Sequence, residues 1–181
     1  MRQTILAIKL LFLAYLAYLF YQLAIVYDPA SPGYRSPFAL FVLDTIDLFL
    51  HEAGHFFCKP FGMFVYILGG SLFQVLLPLT LVIVTLRQNI STIAYPAFWL
   101  GQNMINVSVY VKDAPFRHLH LIGKGLIHDW NWLLLNNLEA AEPMGDALFA
   151  TGLLVCLASI GGGVYFAIRK YREEQEEAPL L

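Results

Sequence analysis

Charge is what this sequence has least of. Only 13% of its 181 residues are Asp, Glu, Lys or Arg, about half the share of an ordinary globular domain. The formal net charge of -2 points to no strongly charged partner, and no basic stripe suggests nucleic acid. Cysteine is almost as scarce. Cys58 and Cys156 lie in or beside apolar runs, where they form neither a disulfide framework nor a C-x-x-C metal knuckle and read as small buried hydrophobes. There is no internal repeat. What fills the chain instead is apolar: 59% hydrophobic residues, with a mean hydropathy of +0.63. That is the composition of an all-α integral membrane protein. The length allows about four to six membrane spans in one membrane domain, residues 1–181.

Five apolar segments are long enough to cross a bilayer: residues 4–27, 38–58, 64–86, 94–111 and 147–168. The first exceeds a signal-peptide core and lacks a small-residue cleavage site, which makes it an uncleaved anchor. A proline-rich loop, residues 28–37, follows it, and Lys59-Pro60 ends the second span. Residues 61–68 are aromatic and β-branched, followed by Gly69-Gly70-Ser71. They read either as the start of the third span or as a short extended or re-entrant segment, with glycines that permit close backbone approach or tight helix packing. Pro78 predicts a kink in the third span. The connection carrying Arg117, His118, His120 and Lys124 reads as solvated surface, and residues 130–141 as a short amphipathic helix. Gly152, Ser159 and Gly161-Gly162-Gly163 give the last span a small-residue face.

Within the second span stands His51-Glu52-Ala53-Gly54-His55. On a helix, this spacing sets two imidazoles one turn apart on one face, where they can share a zinc ion. The glutamate beside them can take a proton from a water at the metal. Ionisable groups are costly in a bilayer, and those found there are usually functional. Asp44 and Asp47 lie on the same helical stripe as the two histidines. From Asp47 to His55 is about 12 Å of helix rise, too far for one ion. Asp47 is better placed to accept the other N–H of His51, while Asp44 does the same through water or lines a polar cavity.

The fourth span carries Gln102, Asn103 and Asn106 and ends at Lys112-Asp113. Three amides in one span call for partners across helices or on a ligand. If three spans succeed one another, the second and fourth run in the same direction, so His55 and Asp113 emerge at the same membrane face. His128-Asp129-Trp130-Asn131 lies on that side too. Asp129 suits a helix N-cap and is also a candidate to support the metal ligands or the oxyanion, and His128 can turn back as a ligand or as a hydrogen-bond donor in catalysis.

Together these residues resemble the site-2 protease class of intramembrane zinc metallopeptidases. The resemblance covers roughly residues 38–113: a His-Glu-x-x-His motif in a span, a Gly-rich apolar segment, and an Asn-containing span ending in aspartate. Gly-Gly-Ser-Leu-Phe-Gln and His-Asp-Trp-Asn are also similar to small bacterial membrane proteins grouped with that class. The resemblance implies His51 and His55 as zinc ligands, Glu52 as general base, and an aspartate of a later span as third ligand. In the family's third-ligand motif prolines follow an Asn and lead to Asp-Gly. Here Asp113 precedes Ala114, and no proline separates it from Asn106. The third ligand is therefore Asp113 or, second, His128. The location implied is the bacterial cytoplasmic membrane.

The expected reaction is hydrolysis of a peptide bond in or near a transmembrane segment of a membrane-protein substrate. Zn²⁺ lowers the pKa of its water to about 7, Glu52 carries the proton, and Asn103, Asn106 or His128 helps hold the oxyanion. A substrate helix must unwind, and an extended edge at residues 64–69 could pair with it. Two other functions fit the same residues: a catalytically silent metal-binding scaffold or regulator, and a membrane zinc hydrolase acting on lipid or a small amide.

Overall fold

In the computed structural model, which describes residues 2–119, 121–123 and 125–176, the chain consists of helices and turns, with no strand among the described residues. α1 (Arg2–Tyr21) continues into one π-helical turn, Gln22–Val26. The proline-rich loop interrupts the helical pattern because proline lacks the N–H a helix needs. Pro37 then starts α2 (Phe38–Cys58) by accepting the Phe41 N–H at 2.9 Å. A 3₁₀ turn, Lys59–Phe61, and Gly62 at φ 92° reverse the chain into α3 (Met63–Gln88). A side chain would strain Gly62 there, so this glycine makes the α2–α3 hairpin possible. α4 (Ala94–Lys112), α5 (Asp129–Leu133) and α6 (Ala141–Glu176) complete the chain.

Three expectations change at this level. Residues 64–69 form no extended or re-entrant edge: α3 starts at Met63, with the Tyr66 N–H on the Gly62 carbonyl at 2.9 Å. An extended segment in an apolar setting needs a partner strand, whereas a helix satisfies its own backbone, which overrides β-branched propensity. The amphipathic helix expected at 130–141 is only the five residues of α5, followed by turns and a 3₁₀ segment, Leu138–Ala140. α6 extends past both ends of the expected 147–168 span. His120, Lys124 and the last residue of the polar tail, Glu177, lie outside the described residues.

α2 packs along α3, α3 along α4, and both α4 and α1 along α6. Lipid tails supply no hydrophobic drive between helices, so close approach at small residues does the work. A Cβ on Gly101 of α4 would lie 2.6 Å from the Gly152 carbonyl oxygen of α6, and one on Gly152 would lie 2.7 Å from that of Gly101. A Cβ on Gly54 would collide with the Gly69 carbonyl, so α2 and α3 also meet backbone to backbone.

Polar side chains are buried alongside the apolar core, and large apolar side chains cover much of the surface. Asp47, Gln102, Asn103 and Ser108 are 0% exposed, whereas Phe38 is 81%, Leu11 71% and Leu154 66% exposed. Among the described residues, three helices are long and apolar enough to cross a membrane: Arg2–Val26, Met63–Gln88 and Leu138–Glu176. This is consistent with a membrane protein. α2 and α4 have 21 and 19 residues but are more polar, the one through its acids and histidines, the other through its amides.

Candidate metal centre

α2 presents His51 and His55 one turn apart, as their spacing requires, and α3 supplies what holds each ring. The Nδ1 of His55 lies 2.8 Å from the Tyr66 carbonyl oxygen. That oxygen can only accept, so Nδ1 carries the proton and Nε2 is left with a lone pair. The Nδ1 of His51 lies 3.3 Å from Gln74 Oε1, which leaves its Nε2 in the same state. Both bare nitrogens then point at one spot. Gly70 of α3 leaves that spot open: a Cβ there would come within 2.5 Å of His51 Nε2 and 2.7 Å of His55 Nε2.

The third group at this spot is Asp129. Its Oδ2 lies 2.8 Å from His51 Nε2 and 3.2 Å from His55 Nε2, and the three ligand atoms lie within 4.8 Å of one another. Its flanking residues pin it there. Trp130 Nε1–H donates to Ser71 Oγ at 3.0 Å, Asn131 Nδ2–H donates to the Ala114 carbonyl at 2.8 Å, and the Asp129 N–H donates to Tyr110 Oη at 3.0 Å. Burial raises the Asp129 carboxyl, but His51 and His55, when protonated, donate to it and outweigh burial, holding it below the usual carboxylate range; a bound cation would take the place of those protons.

These donors fit zinc. Imidazole nitrogen and carboxylate oxygen are its common ligands, and a tetrahedral ion at about 2.1 Å keeps donors roughly 3.4 Å apart, near the separations found here. With both rings neutral, two imidazole nitrogens and a carboxylate oxygen turn lone pairs to one spot, an arrangement that could hold a cation. Three protein donors also leave a fourth position for water.

Asp113 and His128 do not join this group. Asp113 accepts the His118 and Leu119 N–H groups at 2.8 and 2.9 Å, and His128 Nε2–H at 3.1 Å. His128 Nδ1 accepts the Asn131 N–H at 3.2 Å and caps α5. Both ring nitrogens are engaged, so His128 has no lone pair for a metal. The cap expected of Asp129 is made by its neighbour, which frees the Asp129 carboxylate to reach the histidines.

Two expected supporting roles also move. Asp47 does not accept from His51: its Oδ1 takes the Trp99 Nε1–H at 2.9 Å, and Gln74 holds the imidazole instead. Asn103 donates to the Trp99 carbonyl at 2.9 Å, away from the centre. Asn106 does line the same cavity as the histidines but stands one residue removed from them, behind Gln74.

That cavity has a volume of about 460 Å³ and runs from His51, His55 and Asp129 toward Asp44, with Leu121 and Ile127 on its wall. Glu52 lines it as well. Among the described residues Glu52 makes no side-chain hydrogen bond or ion pair, whereas Asp44 and Asp129 make several. Gln74 and Tyr110 are the site residues that sequence reasoning missed. Gln74 was visible as a polar break in an apolar span, while Tyr110 carried no signal in an aromatic-rich chain. Compared with family models, curated proteins and solved structures, the chain matches none of them.

Proposed function

We propose that this protein is an intramembrane zinc metallopeptidase, similar in its site to the site-2 protease class, with a transmembrane segment of another protein as substrate. The observation that carries the reading is the convergence of His51 Nε2, His55 Nε2 and Asp129 Oδ2 at one point, beside Glu52, which has no side-chain partner among the described residues, in a shared cavity. α2 and α4 join the three apolar helices as spans, five in all, in a bacterial cytoplasmic membrane. Their polar residues face one another rather than lipid, as intramembrane polar groups do.

When bound, zinc supplies Lewis acidity that acidifies a water and polarises a carbonyl. His51, His55 and Asp129 would hold it. Glu52 takes the proton of the attacking water and passes it to the departing amine. A free carboxylate suits that role, since one already satisfied by donors is a poor base. The Tyr110 hydroxyl, on the cavity wall beside Asp129, is placed to donate to the oxyanion. The apolar cavity wall excludes bulk water and accepts hydrophobic side chains.

The experiment is metal analysis of detergent-purified protein together with cleavage of transmembrane reporter substrates in membranes. About one zinc per chain, lost in His51→Ala and Asp129→Ala, with cleavage abolished in Glu52→Gln, is the expected result. Wild-type protein that takes up no zinc when it is supplied overturns the reading.

A further inference from the structure

A chain of hydrogen bonds runs from His51 away from the metal centre and ends on a carboxylate. His51 Nδ1 faces Gln74 Oε1 at 3.3 Å; Gln74 Nε2–H donates to Asn106 Oδ1 at 2.9 Å; Asn106 Nδ2–H donates to Asp44 Oδ1 at 3.2 Å. Asp44 also accepts from Tyr27 Oη–H and Gln102 Nε2–H, both at 3.0 Å, and from Ser36 Oγ–H at 3.5 Å. It therefore ties together the end of α1, the proline-rich loop, α2 and α4.

The chain has a direction, and only one of its members can set it. Each amide offers a donor end and an acceptor end and fits its neighbours either way round. A carboxylate offers acceptors only. Asn106 Nδ2–H also donates to Tyr27 Oη at 2.9 Å, and the Tyr27 hydroxyl is free to accept because Asp44 takes its proton. Facing Asp44 and this hydroxyl, Asn106 must present its NH₂ group, which turns Oδ1 toward Gln74. Gln74 must then present NH₂ to Asn106 and oxygen to His51. His51 meets an acceptor at Nδ1, keeps its proton there, and leaves Nε2 bare toward His55 and Asp129.

We propose that Asp44 is a positioning residue of the metal centre, which, through Asn106 and Gln74, fixes the tautomer and orientation of His51. The inference rests on the zinc reading above. His55 has no need of such a relay, because the Tyr66 backbone carbonyl has only one polarity. Outer groups that orient a ligating histidine typically change metal affinity by about 10–100-fold.

The test is zinc affinity by chelator competition on the purified full-length protein, in wild type, Asp44→Asn, Gln74→Glu and the double variant. Asparagine at 44 can point either end at Asn106, so the direction is lost. Asp44→Asn is expected to weaken zinc about 10-fold. Glutamate at 74 presents acceptors to His51 unaided, so adding Asp44→Asn to Gln74→Glu is expected to cost less than about 2-fold. A purely architectural role for Asp44 gives the same loss in both backgrounds, and that result overturns the proposal, as does wild-type affinity in Asp44→Asn. If Asp44→Asn does not fold, Asn106→Leu cuts the same chain. A 10-fold loss there supports the relay and wild-type affinity overturns it. Failure of the wild type to bind zinc defeats the metal reading itself. Zinc bound normally by wild type and by Asp44→Asn, but lost in His51→Ala, defeats the relay alone.

Discussion

Asp129 reaches across 78 residues of sequence to place its carboxylate oxygen 2.8 Å from His51 Nε2. Substituting it therefore separates two candidate ligand sets. Asp129→Ala removes a ligand and is expected to reduce zinc content of purified protein to near that of His51→Ala. Asp113→Ala removes a loop anchor and is expected to retain most of the zinc. Metal analysis of the three proteins side by side reads this out, and the reverse ranking returns Asp113 to the centre.

Gly70 leaves no room for a methyl group beside the two ligand nitrogens. Gly70→Ala forces the imidazoles apart or α3 away from α2, and overpacking of this kind costs about 1–3 kcal/mol. Zinc affinity is expected to fall by about 5- to 150-fold, on the scale of 1.4 kcal/mol per factor of ten. The exposed Gly161, with open space around its Cβ position, is the control: Gly161→Ala should bind zinc like wild type.

Glu52 contacts none of the proposed ligands by hydrogen bond. Glu52→Gln is expected to keep its zinc while losing about 10²–10⁴-fold in cleavage rate, the usual worth of a general acid–base group. Chelation of the wild type should abolish cleavage, and added zinc should restore it. Glu52→Gln that cleaves normally removes the proton-transfer role.

Asp47 and Trp99 form a buried bond one turn along α2 from His51 that includes none of the metal donors. Asp47 Oδ2 has no partner, so the Trp99 N–H at Oδ1 is the main satisfaction this carboxyl receives. Trp99→Phe is expected to lower stability by about 1–3 kcal/mol, because it strands a buried acceptor. Asp47→Leu combined with Trp99→Phe should recover part of that loss, since removing both polar partners leaves nothing unsatisfied. Thermal unfolding in detergent measures both, with zinc content unchanged.

How much of this was legible in advance differs from residue to residue. His51, Glu52 and His55 declare themselves, because fixed helical spacing converts sequence separation directly into a shared face. The helices declare themselves through apolar run length, though not where α6 ends, since a helix can continue past the apolar run that marks a span. Asp129 was legible as a supporting residue but not as a candidate ligand, for two reasons. Its place beside a short helix offered an ordinary capping role, and its arrival at the histidines depends on the path of a long loop that no periodicity encodes. The partner of His51 was misassigned to Asp47 because a neighbour one turn away is visible in sequence, whereas Gln74 on a facing helix is not. The glycines after residue 68 announced close approach; which atoms approached became clear only when Gly70 met both imidazoles.

The hairpin turned by Gly62 has a consequence for biosynthesis. Both histidines, the carbonyl and amide that orient them, and the glycine that makes room between them all lie on α2 and α3. A nascent chain holding only these two helices already owns a pair of oriented nitrogens. It lacks the carboxylate, which is translated after α4 and a long loop, and it lacks Asn106, the middle of the relay. If the proposed zinc site is correct, tight capture would be deferred until the ribosome has passed Asp129, so the α2–α3 hairpin would precede a complete centre by much of the polypeptide.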